Sequence, residues 1–139
     1  MNLETWRNSL KKVQKQVYLE HFNLSEFDSP DSPGSGKNMK KEFLIMIDKA
    51  REISGVAYKI TSGFRTPNHN ETLKKQGYKA SPTSSHLKGV AADISCLDSG
   101  TRQKILNGLI MAGFTRIGIS DTFIHCDCDS SKNDAIWLY

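Results

Sequence analysis

The chain has 139 residues, 37% of them hydrophobic and 24% charged, a balance that excludes a disordered chain and fits one globular domain. Its formal net charge of +4 and pI near 9.0 favour anionic surfaces. That charge is too mild to mark a nucleic-acid binder, and the two short lysine clusters, Lys11, Lys12 and Lys15, and Lys37, Lys40 and Lys41, read as solvated faces.

The opening segment MNLETWRNSLKKVQKQVYLEHF mixes charges through its apolar positions. It therefore has neither the apolar core of a signal peptide nor the run of about 20 apolar residues that spans a membrane, and synthesis in the cytoplasm is expected. Leu3, Trp6, Leu10, Val13, Val17 and Tyr18 follow helical spacing and predict an amphipathic helix over residues 3–21, an N-terminal extension on the remaining core. The stretch 27–38, FDSPDSPGSGKN, is a loop by composition.

Met39–Ser54 predicts a second helix, with Phe43, Leu44, Ile47 and Ala50 on one face, Asn38 as N-cap and Gly55 as terminator. A short strand over Ala57–Thr61, a turn through SGFRTPNHN and a short helix near Asn68–Gln76 follow. Val90–Ser95 is a predicted strand, and Ser99 caps a helix over Thr101–Ala112 that Gly113 closes. Strands near Arg116–Ile119, Thr122–Cys128 and Ala135–Tyr139 complete a single α+β domain with helices packed on a small, mainly antiparallel sheet.

The segment Ser84-Ser85-His86-Leu87-Lys88-Gly89-Val90-Ala91-Ala92-Asp93 carries the chemistry. A carboxylate among Val90, Ala91, Ala92 and Ile94 is expensive to bury unless a cation meets it. Downstream, strand alternation puts Phe123, His125 and Asp127 on one face and Ile124, Cys126 and Cys128 on the other. If that strand lies beside Val90–Ser95, then His86, Asp93 and His125 converge as two nitrogen ligands and one oxygen ligand, leaving a fourth position for water, the arrangement of a catalytic zinc. The structural alternative is a loop-capping His86, a satisfied core His125 and a turn-capping Asp93. The odd count of three cysteines, Cys96, Cys126 and Cys128, reads as reduced packing residues.

The pattern Ser84-x-His86-x-x-Gly89-x-Ala91-x-Asp93 with His125 downstream resembles the zinc D-alanyl-D-alanine carboxypeptidases and their L-alanyl-D-glutamate endopeptidase relatives. Ser62-Gly63-Phe64-Arg65 with Pro67 and Asn70 is similar to that family's Ser-Gly-Tyr-Arg segment, and Phe123-x-His125-x-Asp127 with Trp137 to its closing segment. The resemblance covers residues 22–139 and implies a hedgehog/DD-peptidase fold, one zinc per chain on His86, Asp93 and His125, and hydrolysis of peptidoglycan stem peptides by a monomer at the bacterial cell wall. It further implies that Arg65 binds a substrate carboxylate or the carbonyl under attack.

Phe123 and Thr122 stand where better-understood members carry a histidine or glutamate base, so Asp127 is the first candidate for proton transfer and Asp121 the second. Each has a duller alternative, Asp127 as a brace for a ligand and Asp121 as the start of a turn. Ser84 reads as a brace for the metal loop at the substrate side, and His69 and Trp137 as cleft residues. Removal of a terminal D-Ala is the leading expectation. An internal cut, such as that of a phage-type endolysin, or a zinc-stabilised module used only for recognition are the alternatives.

Overall fold

The computed structural model describes residues 2–5 and 18–139. The amphipathic helix expected over residues 3–21, with Lys11, Lys12 and Lys15, lies for the most part outside the described residues.

Helix α1 spans Lys41–Ser54 and buries Phe43, Leu44, Ile47 and Ala50, the apolar face that its spacing predicted. Asn38 is not its cap: it ends a 3-10 turn over Ser35–Asn38, and the helix begins after Lys40. Gly55 ends α1 with φ of 69°, a left-handed conformation that favours glycine. Helix α2 covers Pro67–Lys75, with proline in its first turn and the Thr66 hydroxyl accepting from the His69 amide. Helix α3 covers Ser99–Met111, and its cap is Asp98, whose carboxylate accepts from Thr101 N at 2.8 Å, in place of the expected Ser99. α1 and α3 pack closely because position 108 is glycine: a Cβ there would lie 2.4 Å from Ala50 O.

The strands are β1 Ile60–Ser62, β2 Ala91–Ser95, β3 Arg116–Ile119, β4 Phe123–Asp127 and β5 Ala135–Leu138. They form one five-stranded sheet in the order β1-β2-β4-β3-β5. The pairs β1–β2, β2–β4 and β3–β4 are antiparallel, whereas β5 runs parallel to β3. The parallel pair follows from connectivity: β3 and β4 form a hairpin, and the next reversal lays β5 beside β3 in the same direction. The fold is thus α+β with a mixed sheet, antiparallel in all but its last pairing.

Period-two alternation divides the sheet into two faces. Ala92, Ile94, Ile117, Ile124 and Cys126 join Phe43, Leu44, Ile47, Ile105 and Leu109 in the buried core under the helices. The opposite face carries the polar series. Along one rung, Ser62 pairs with Asp93, Asp93 with His125, His125 with Gly118 and Gly118 with Trp137, so a single line of register crosses all five strands.

Candidate active site

A cleft of about 570 Å³ opens over that polar face, and its lining includes Ser62, Arg65, His69, Ser84, His86, Asp93, His125, Asp127 and Trp137. Strand pairing brings in Asp93 and His125. His86 comes from a 3-10 turn over Ser85–Lys88, begun by Ser84, whose hydroxyl accepts from His86 N at 3.3 Å. Gly89 closes the turn with φ of 72°, and a Cβ there would lie 2.3 Å from Asn38 O. The motif's glycine is therefore required twice over, by backbone conformation and by space.

His86 Nε2 lies 3.4 Å from Asp93 Oδ1, and His125 Nδ1 lies 2.9 Å from the same oxygen. One ligand atom from each of the three residues lies within 4.8 Å of the others. The remaining imidazole nitrogens are also engaged: His86 Nδ1 is 2.9 Å from Gly63 O, and His125 Nε2 is 2.7 Å from Asp127 Oδ2. Gly63 O and Asp127 can each accept from the ring nitrogen behind, so His86 Nε2 and His125 Nδ1 are the nitrogens turned to Asp93, and in the neutral rings they are the lone pairs that a cation between them and the carboxylate could take up. Two imidazoles and a carboxylate, each histidine fixed from behind, suit a divalent metal.

Burial alone would raise the Asp93 carboxyl, but His125 and His86 hold it well below the usual carboxylate range. Burial opposes charge on His125, yet its bonds to Asp127 and Asp93 leave it above the ordinary histidine value.

Arg65 reaches the cleft from the segment after β1 and is 8% exposed. Its amide donates to His86 O at 3.2 Å, stitching this segment to the histidine turn. Gly63 permits that course, because a Cβ there would stand 2.6 Å from Phe27 Cα. The guanidinium donates to Asn70 Oδ1 at 3.1 Å, Ser62 Oγ at 3.2 Å and Ser84 Oγ at 3.5 Å, and its Nε has no partner among the described residues. All three partners are neutral oxygens. Asn70 is buried in this role, although the sequence pattern around it matches a glycosylation site.

The two carboxylates considered for proton transfer part company. Asp127 is buried, and three bonds hold it: His125 Nε2 on Oδ2, with Arg116 Nε at 2.8 Å and Asp129 N at 3.1 Å on Oδ1. This is the geometry of a brace for His125. Asp121 is not brought to the cleft: it is exposed in the β3–β4 turn, where its carbonyl accepts from Arg102. Ser84 and His69 line the cleft as expected, and the Trp137 ring lies 5.5 Å from that of His125. Cys96 and Cys126 are buried in the core and Cys128 packs against it, with the Cys128 thiol pushed up to about 11 by burial.

Sequence reasoning passed over four positions. Arg116 bonds Asp127 and lies 5.0 Å over the Trp137 ring, and Asp129 ties the chain after β4 to Ser85. Gly118 leaves room for Trp137 and Tyr139, whose ring atoms would stand 2.6 and 2.7 Å from a Cβ there. Tyr139 itself lines the cleft. The available signal was alternation, Arg116-x-Gly118 and Trp137-x-Tyr139, on the face already marked by His125.

No curated protein matched the chain. The peptidase M15 family matches residues 19–127, a span that takes in Arg65, all three metal-facing residues and Asp127. On that match, which covers most of the sequence, the chain belongs to the peptidase M15 family.

Proposed function

We propose that the protein is a zinc-dependent peptidase that removes the terminal D-Ala from peptidoglycan stem peptides, with residues 22–139 as its catalytic core. The observation that carries the reading is Arg65: a nearly buried guanidinium, with no carboxylate bonded to it among the described residues, opens into the same cleft as His86, Asp93 and His125. A buried cation held only by neutral oxygens is a costly arrangement for stability and a ready-made receptor for a carboxylate. Lys79 adds positive charge to the lining, where Arg116 is paired with Asp127 and Lys132 with Asp129, and the net charge of +4 suits an anionic wall polymer.

His86, Asp93 and His125 would hold the zinc. When bound, zinc polarises the scissile carbonyl and acidifies water at neutral pH. The chain's own side chains orient the metal-holding residues and the substrate. Asp127 and Gly63 O fix the tautomers and ring planes of the two histidines. Ser62, Ser84 and Asn70 aim the Arg65 fork at the carboxylate of the substrate, which places the adjacent peptide bond over the metal-facing atoms. Trp137 and Tyr139 wall the cleft beside His125 and keep water from that side. Asp127 takes the bracing role, and Asp121 takes none.

An internal cut beside D-Glu is the second reading, because a mid-chain carboxylate also suits Arg65. Product analysis on purified stem peptides, with zinc-loaded protein, separates the two. Free D-Ala as the product supports the carboxypeptidase, and internal fragments support the endopeptidase. Arg65→Lys should raise KM more than it lowers kcat, because a point charge replaces the fork. Zinc-dependent binding of stem peptides without turnover would refute the enzymatic reading and leave a recognition module.

A further inference from the structure

We propose that Asp129 is a positioning residue that sets the metal affinity of the site, by locking together the two segments that carry its histidines; this rests on the metal reading of His86, Asp93 and His125. The histidine turn over Ser85–Lys88 is not a strand, so no ladder holds it against β4. What spans the gap is Asp129, nearly buried just past the end of β4. Its Oδ2 accepts from Ser85 Oγ at 2.8 Å, one residue before His86. Its amide donates to Asp127 Oδ1 at 3.1 Å, and Asp127 Oδ2 is 2.7 Å from His125 Nε2. A continuous bonded path therefore runs from the His86 turn through Asp129 and Asp127 to His125.

The clamp is also neutralised and reinforced from both sides. Lys88, from the histidine turn, donates to Asp129 at 3.0 and 3.2 Å. Ser131 donates through its amide at 3.1 Å and its hydroxyl at 2.6 Å, fixing the turn after β4. Lys132 comes from that same turn, lies 3.6 Å from the Asp129 carboxylate and reaches back to Ser85 Oγ at 3.0 Å and Thr83 O at 2.9 Å. Two charges and two hydroxyls thus converge on a carboxylate that touches no metal-facing residue. Because a metal site tolerates only a few tenths of an ångström of misplacement in its ligands, loosening this path should be read out as lost affinity.

The test is zinc affinity, measured by competition with a chromophoric chelator on the full chain, with the visible spectrum of the cobalt(II)-loaded protein as a second readout. Asp129→Asn should weaken zinc by roughly ten- to a hundredfold, the range of supporting-shell variants, and shift the cobalt bands. Ser85→Ala removes the bond to Asp129 and the one accepted from Lys132 but leaves the charges in place, so it should weaken zinc less while the metal-free protein melts within a few degrees of wild type. The double variant should lose less than the sum of the two single losses, since both break the Ser85–Asp129 contact. If Asp129→Asn does not fold, Ser85→Ala decides. Wild-type affinity and an unchanged cobalt spectrum in the variants overturn the proposal. A wild-type chain that binds no zinc overturns the metal reading as well, a distinct result.

Discussion

Replacing Gly118 by alanine tests whether the cleft wall rests on a missing side chain. Glycine within a strand costs about 0.5–1 kcal/mol of backbone entropy relative to alanine, so an alanine that merely filled space would stabilise the protein. At position 118 the added Cβ would instead meet Trp137 Nε1 at 2.6 Å, and Trp137 Cε2 and Tyr139 Cε2 at 2.7 Å. The Trp137 ring has little freedom to yield, although Tyr139 is more exposed. Trp137 is held between His125, 5.5 Å away, and the Arg116 guanidinium at 5.0 Å, while Tyr139 packs 5.0 Å from Phe123. Overpacking of this kind costs about 1–3 kcal/mol, enough to outweigh the entropic gain and leave a net loss of about 1–2 kcal/mol. For a chain of this length that is a fall in Tm of roughly 3–10 °C. Thermal melts followed by circular dichroism, with tryptophan fluorescence in a Trp6→Phe background reporting Trp137, supply the measurement. In a Trp137→Ala, Tyr139→Ala background the same glycine change should become neutral or stabilising. A Tm at or above wild type for Gly118→Ala, or an equal loss in both backgrounds, refutes the argument.

Asp127→Asn should weaken zinc by roughly ten- to a hundredfold, because His125 loses its carboxylate brace and Arg116 its ion pair, while Asp121→Asn should leave zinc affinity and turnover within about twofold of wild type; equal effects of the two in a chelator competition would contradict the assignment. Acid should destabilise the protein partly through Asp129. Burial opposes its charge, but Ser131, Ser85 and Lys88 hold its carboxyl well below the ordinary aspartate value, so its contribution is complete above about pH 4 and is lost as pH falls through that depressed value. Melting curves between pH 6 and pH 3 should therefore show a smaller loss for Asp129→Asn than for wild type.

What the sequence made legible was whatever rests on periodicity or on local chemistry. The apolar face of α1, the strand alternation of β4 and the Ser84–Asp93 motif each depend on residues close in the chain, so spacing together with the family resemblance pointed to His86, Asp93 and His125 without coordinates. The caps of α1 and α3 were misplaced by one or two residues, because Asn38, Asp98 and Ser99 all suit a helix start while Lys40 offers no capping oxygen, and only the course of the preceding chain decides where each helix begins. Asp127 and Asp121 show the deeper limit. Both are aspartates near His125 in sequence, and pattern alone left both open for proton transfer. Their difference lies in what surrounds each carboxylate: Arg116 of the neighbouring strand, His125 and the Asp129 amide for one, and an exposed turn with Ser120 Oγ at 3.2 Å for the other. Arg65 poses the same problem in reverse, since an arginine in a turn is ordinarily solvated. Only the closure of Ser62, Asn70 and Ser84 around it, from three separate stretches, makes it a buried cation facing a cleft. A side chain's identity states what it can do, but which of those things it does is decided by what the fold leaves unsatisfied around it.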